Sequence, residues 1–405
     1  MLYKMAWRNI WRNKRRTFIT LASILFAVML ASMMESLQKG AWNHMIGNVV
    51  NFYFGFAQIH EKGYWEEQSL DKAFVVSDEI KSLPAQIKGL QGLTPRLESF
   101  ALASTGNNTV GVLVIGTDPV AENAMTTLGN RLVKGKYLSP ADTAVLIADG
   151  VAERLNLQVG DTLVLVSQGY RGANAAGKYP VKGLVHFGSP ELNKQMVYMT
   201  LPAAQWFFGA DGLVTSVALH IDDPRQVGRI WRTTFQKLDK EQYEVLDWQA
   251  MLPDLVQAKS LDSAGNYIVY FILYMVIAFG IFGTILMMSK EREYEFGILI
   301  SIGMHRRQLG FMVWIEILLM GLLGALAGIL ASFPVIGYFH THPLRFSGDY
   351  GQALEKFGFE PIFPAAFQPS IFVTQAIIVL LVTSVLAMYP LFKISKLQPI
   401  EAMRS

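Results

Sequence analysis

The residues most able to do chemistry are crowded into Ser289–Leu309, SKEREYEFGILISIGMHRRQL. Acids Glu291, Glu293 and Glu295 lead, bases Arg306 and Arg307 follow, and Gly297 and Gly303 lie between. Carboxylates and guanidinium groups make charge-assisted hydrogen bonds, and Phe296 and Ile298 offer an apolar anchor. The chemistry is therefore that of gripping a partner. Long apolar runs flank the segment, yet charges so dense cannot lie inside lipid, so it docks on a membrane surface or on a protein there. The alternative is an ordinary solvated loop, against which the apolar residues Phe296, Ile298, Leu299, Ile300 and Ile302 argue.

Other constellations are weaker. Gly169–Gly177, GYRGANAAG, has the glycines of a phosphate loop but lacks its Gly-Lys-Ser/Thr ending, and reads as a flexible hairpin turn. His186 and His220 stand apart, with no metal-ligand spacing between them. With no cysteine, disulfides and thiol chemistry are excluded. Formal net charge is +3, which gives no footprint for a nucleic acid. No nucleophile–base pair stands out, so no enzyme is expected.

Four runs are nearly charge-free and long enough to cross a bilayer, which takes about 20 residues: Thr17–Leu37, Tyr267–Met288, Leu309–Phe339 and Ser370–Leu391. The first could instead be a signal peptide, but it exceeds an apolar core of about 7–15 residues and lacks a small-residue cleavage site. Bases cluster before the first run (Lys4, Arg8, Arg12, Lys14, Arg15, Arg16), between the second and third (Lys290, Arg292, Arg306, Arg307), and after the fourth (Lys393, Lys396, Arg404). All three clusters fall on one side of a four-span arrangement, which the positive-inside rule makes cytoplasmic. The N-terminal stretch reads as an interfacial helix: Leu2, Met5, Ala6, Asn9 and Ile10 recur at helical spacing, with Trp7 and Trp11 suited to the headgroup layer. A plain topology signal accounts for it equally well.

Between the first two spans, strand patterns at 110–115, 144–148, 162–167, 181–185, 195–199 and 214–221 mix with helical ones at 150–155, 203–208 and 224–240. The last opens after Asp222-Asp223 with Pro224 at its first position. This mixture predicts an α+β domain.

The run Glu295-Phe-Gly-Ile-Leu-Ile-Ser-Ile-Gly303, with Arg306, Arg307 and then Glu316, resembles the signature of FtsX-like ABC transporter permeases, as does the glycine-spaced stretch Gly321, Gly324, Gly328. Val145-Leu-Ile, Leu157-Gln-Val-Gly-Asp161 and Tyr179-Pro-Val-Lys-Gly183 resemble the extracytoplasmic domain of MacB-type and lipoprotein-releasing permeases. The tail Gln398-Pro-Ile-Glu-Ala-Met-Arg404 is similar to their usual ending. Departures at Ile300 and Ser301, and a longer loop at 340–367, bear on the substrate rather than on the machine.

The resemblance implies a membrane protein of four transmembrane helices plus a large α+β, MacB-like periplasmic core domain between helices 1 and 2. The expected segments are an interfacial helix 1–16, first span 17–37, extracytoplasmic domain 38–263, stalk end and second span 264–288, coupling helix 289–308, third span 309–339, outer loop 340–369, fourth span 370–391 and tail 392–405. It further implies a non-catalytic subunit of the bacterial inner membrane, both termini cytoplasmic, acting by mechanotransmission. A separate ABC ATPase dimer would bind ATP and Mg, with no cofactor in this chain. A second permease copy, identical or paralogous, membrane lipids and a periplasmic chaperone or adaptor complete the expected partners.

Expected coupling residues are Glu291, Arg292, Glu295, Phe296, Gly297, Ile298, Gly303, Arg306 and Arg307. Glu316 is a membrane-embedded acid, expected to pair with Arg292 or Arg307 rather than to carry protons. Met29, Met33, Tyr270, Tyr274, Met275 and Phe279 offer a soft aromatic surface to an acyl chain, though bundle or dimer packing explains them as well. Lipoprotein release is the leading function. Alternatives are MacB-like efflux of peptides, toxins or drugs, and FtsX-like control of a cell-wall hydrolase, against which the size of the domain argues.

Overall fold

The computed structural model describes residues 2–12, 14–106, 108–221, 223–349, 351–352 and 360–398. Asp222, most of the tail motif (399–404) and part of the 340–369 loop lie outside them. The chain divides into two compact units: a helical one built from 1–43, 259–345 and 362–405, and a sheet-based one built from 44–258 and 346–361.

Among the described residues, four helices are long and apolar enough to cross a membrane. The principal helices are α1 (Leu2–Arg12), α2 (Lys14–Val49), α3 (Pro253–Glu291), α4 (Glu293–Ser301), α5 (Arg306–Thr341), α6 (Pro369–Leu386) and α7 (Met388–Ser395). The helices α2, α3 and α5 outrun their apolar stretches, because nothing in the flanking polar residues breaks the 3.6-residue repeat, whereas α6 stops at Leu386, short of the end of its apolar run. Breaks occur where the chemistry requires them. Arg292 leaves helical geometry between α3 and α4 (φ −99°, ψ 6°). Gly303 adopts φ +106°, the left-handed region favouring glycine, and ends the α4 turn. Pro390 sits in the first turn of α7, where its missing N–H cannot continue α6. The expected coupling helix 289–308 is thus corrected to a nine-residue helix, Glu293–Ser301, between two longer ones.

Glycines let α2 and α5 meet closely. A methyl group on Gly324 would stand 2.7 Å from Ile24 Cβ, and one on Gly328 2.8 Å from Val28 Cβ; in a bilayer such small-residue contacts replace the hydrophobic drive for helix association. The bundle core gathers Ile24, Val28, Ile281, Ile285, Met312, Val313, Ile317 and Val379. Ile10 joins it, and Ala6 is buried too. The apolar face of α1 therefore packs on protein, while Trp7 and Trp11 stay exposed.

The second unit is built on a ten-stranded sheet: β1 (Ala57–Glu61), β2 (Leu90–Ser104), β3 (Thr109–Thr117), β4 (Leu132–Gly135), β5 (Val145–Ala148), β6 (Thr162–Gln168), β7 (Asn174–Val185), β8 (Met196–Thr200), β9 (Ser216–Ile221) and β10 (Tyr243–Asp247). The order is β10-β1-β9-β2-β3-β8-β5-β7-β4, with β6 pairing β2 and β7. Only β3–β8 and β5–β7 are parallel, an α+β pattern. Gly169–Gly172 turns between the paired strands β6 and β7, the hairpin that the sequence implies. The 224–240 helix proves shorter, Val227–Lys237, after a 3₁₀ turn at Pro224–Gln226. Strand β2 has no counterpart among the sequence expectations. It runs through Gly92, Pro95 and Glu98, residue types depleted in strands, as well as through Arg96.

Candidate functional site

At the charged end of the bundle the Arg292 side chain folds inward. Its Nη1 donates to both Glu316 oxygens at 2.7 and 2.8 Å, and its Nε donates to Glu295 at 3.3 Å. The pair is nearly dry: the Arg292 side chain is 7% exposed and that of Glu316 3%. Asn9 Nδ2 approaches Glu316 at 3.5 Å, and Arg12 of α1 donates to Glu295. Partial burial works against ionisation of Glu295, but Arg12 and Arg292 outweigh it and hold its carboxyl below the usual range. Glu293 bonds Lys290 at 3.0 Å and Lys393 of α7 at 3.1 Å, which likewise lowers it. One ionic cluster thus ties α1, α4, α5 and α7 together at the place where α3 ends.

This geometry divides the nine expected coupling residues. Arg292, Phe296 and Gly297 are buried, and Phe296 packs in the bundle core beneath the Arg292 guanidinium. Phe296 is therefore a core residue rather than a free anchor. Ile298 is half-buried and Glu295 is engaged with α1. Glu291, Gly303, Arg306 and Arg307 face outward, together with Tyr294 and with Ile302, which is 79% exposed. Sequence reasoning missed Asn9, Arg12 and Lys393. Their partners lie 100 to 307 positions away in the chain, and no local pattern signals such pairs.

A cavity of about 510 Å3 opens among α2, α3 and α6, with Glu35, Trp42, Tyr270, Tyr274 and Gln375 in its walls. Tyr270 donates to Gln38 at 2.9 Å, Tyr274 donates to Gln375, and Gln375 donates to Glu35. Trp42 Nε1 donates to Asp262 at 2.6 Å. The rings of Tyr270 and Tyr274 lie 6.5 Å apart at 30°. Of the six residues expected to meet a substrate, these two line the cavity. Met275 and Phe279 stand exposed elsewhere on α3, and Met29 and Met33 are half-buried outside the lining. Helical rotation explains the split: one and five residues after Tyr274, a side chain points roughly 100° and 140° away.

In the sheet unit, β2 carries a second buried ion cluster. The two-residue period of a strand puts Arg96 and Glu98 on one face. Arg96 is wholly buried and forks onto Glu122 through Nε (2.8 Å) and Nη2 (2.7 Å), while Nη1 donates to the Tyr53 carbonyl at 2.6 Å. Thr117 and Thr126 each donate to Glu122 at 3.1 Å. Glu98 lies 3.6 Å from Arg96. Burial pushes the Glu98 carboxyl up, Arg96 pulls it back and Glu122 pushes it further up. His60 on β1 is fully buried and stacks on Tyr64 at 5.1 Å; burial lowers its imidazole to about 3. His186 contacts Asp149 at 2.9 Å. Among the described residues no three His, Asp or Glu side chains converge as a metal site.

Long apolar helices with an ion cluster at one end of their bundle, together with a large α+β domain, are the features of a membrane protein that carries a folded domain. The comparisons name the family. Residues 17–230 match the MacB-like periplasmic core domain and residues 267–399 the FtsX-like permease C-terminal region, and the chain belongs to this FtsX-like, MacB/LolC family of ABC transporter permeases. It is 22% identical to the lipoprotein-releasing system transmembrane protein LolC of Neisseria meningitidis over 399 residues, 96% of this chain and 94% of that protein. To LolE of Haemophilus influenzae it is 22% identical, covering 78% of each. It is also 22% identical to the macrolide export ATP-binding/permease protein MacB of Sodalis glossinidius, over 81% of this chain but 51% of that protein.

Proposed function

We propose that this permease releases lipoproteins or similar amphiphiles from the bacterial inner membrane, converting ATP-driven motion of a separate ATPase dimer into movement of its own domain. The observation that carries the reading is the span of the LolC likeness, nearly end to end in both chains. The cavity among α2, α3 and α6 supports it: Glu35, Gln38 and Trp42 give it polar edges, and Tyr270 and Tyr274 line it with aromatic surface, a lining suited to a molecule with a polar head and an apolar tail. On this reading both termini are cytoplasmic, the sheet unit is periplasmic, and a second permease copy and a periplasmic chaperone or adaptor complete the machine.

The ATPase grips the outward face of the α4 region, Glu291, Tyr294, Ile302, Arg306 and Arg307, while the Arg292–Glu316 pair holds that face in position. A photocrosslinker in place of Tyr274 captures an acylated protein during ATP turnover; failure to capture one in an actively transporting complex overturns the lipoprotein reading. Efflux of small or peptide substrates is the second reading, favoured by the likeness to MacB. It predicts crosslinks to soluble cargo instead.

A further inference from the structure

A cavity of about 600 Å3 lies wholly within the sheet unit, where the Glu98 carboxylate meets the ends of helices at Met45–Phe54 and Met251–Ala258. Its aromatic surface includes Tyr64, Trp65 and Phe100. Three acids line it, Glu98, Glu191 and Asp254, and no Lys, Arg or His does. Glu98 is only 7% exposed, and its Oε1 has no partner within hydrogen-bond distance, the Arg96 Nη1 standing 3.6 Å away. The reason lies one residue pair behind it. Arg96 gives three donors to Glu122 and the Tyr53 carbonyl, and its Nη1 stands 3.6 Å from Glu98, so one guanidinium faces two carboxylates. With Glu98 ionised the buried cluster is one positive charge short, and Glu98 is the member that lines the cavity.

We propose that this cavity binds a small organic cation, an ammonium carried on an aromatic or aliphatic body, with the ammonium at Glu98 and the body among the rings. The inference stands independently of the transported substrate. Burial of an under-compensated carboxylate is costly, and an ammonium beside the Glu98 carboxylate supplies a second positive charge. Aromatic faces attract the same cation through their quadrupoles. The volume suits a drug-sized molecule, for which pockets of about 300–1,000 Å3 are usual. A zwitterionic lipid headgroup fits worse, because its phosphate would approach the same three acids.

The test uses the full chain in an uncharged maltoside detergent and isothermal titration with 4-phenylbutylamine and its uncharged counterpart 4-phenylbutan-1-ol. The amine is expected to bind at least roughly tenfold more tightly than the alcohol, the scale of one charge-assisted contact in a partly dry site. Glu98→Gln is expected to bring the two affinities together while leaving the melting temperature near that of the wild type. Should that variant fail to fold, Glu191→Gln with Asp254→Asn, both at exposed positions, must narrow the preference instead. Equal binding of amine and alcohol, no saturable amine binding, or a preference that survives the charge removal overturns the proposal. Competition by phosphatidylethanolamine at matching concentration would reassign the site to a headgroup and overturn it equally.

Discussion

Two buried arginines in this chain each face two carboxylates, and they end differently. Arg292 in the bundle donates through one nitrogen to both Glu316 oxygens and touches Glu295, which reaches outward to a second base, Arg12. Two cations meet two anions there and the cluster is closed. Arg96 in the sheet unit forks onto Glu122 and leaves Glu98 against a cavity wall with no second base. The same residue types at similar burial thus make a lock in one place and an open socket in the other. What separates them is the position of the second carboxylate. Glu295, on a short helix, can swing toward α1; Glu98, pinned two residues from Arg96 on a central strand, cannot leave the interior.

The comparison breaks most visibly at Glu122. Glu122→Ala leaves a fully buried guanidinium without its bidentate partner, a loss of about 3–5 kcal/mol; differential scanning calorimetry should show the sheet unit melting far below its normal temperature. If Glu98 takes over the pairing, the loss shrinks, and the two carboxylates are then interchangeable rather than distinct.

The lock is tested at Glu316. Glu316→Gln keeps shape and removes charge, and because Glu295 remains beside Arg292 the loss should be smaller, about 2–3 kcal/mol. Arg292→Leu combined with Glu316→Leu should recover most of it, since paired apolar replacement of a buried ion pair is often neutral. Thermal unfolding of the two variants in nanodiscs reads both, and ATPase co-purification reads whether the α4 face stays in register. A double variant no more stable than Glu316→Gln would mean that the ion pair itself stabilises the bundle, beyond what apolar packing can replace.

The smallest expected effect concerns pH. His60 sits behind Tyr64 and is neutral in the fold, its imidazole lowered to about 3, whereas in the unfolded chain it titrates near the ordinary value of about 6.5. The unfolded state therefore binds the extra proton, and the stability contribution present above about 6.5 is lost as pH falls toward 3. His60→Phe should flatten the acid side of the sheet unit's melting profile between those values. An unchanged slope would show that other groups govern it.

Much of the site was legible before any coordinate. Gly297, Gly303 and the alternation of acids and bases mark Ser289–Leu309 as the charged junction between spans, and Glu316 stands out because an acid in an apolar helix needs a partner. Choosing Arg292 over Arg307 required the structure: Arg292 follows the second span and Arg307 precedes the third, but only Arg292 occupies the helix break from which a side chain turns inward. The inward turn of Phe296 was illegible for the same reason, since nine residues of mixed character do not declare which side faces the core.

The sequence by itself determined the four long helices, the α+β domain and the family, because apolar length, strand alternation and short motifs are local properties of the chain. The tertiary structure alone decided which charges are paired. The Arg12–Glu295, Arg96–Glu122 and Lys393–Glu293 contacts join residues 283, 26 and 100 positions apart. A charge is satisfied by whatever lies within a few ångströms in space, and chain order does not encode that distance.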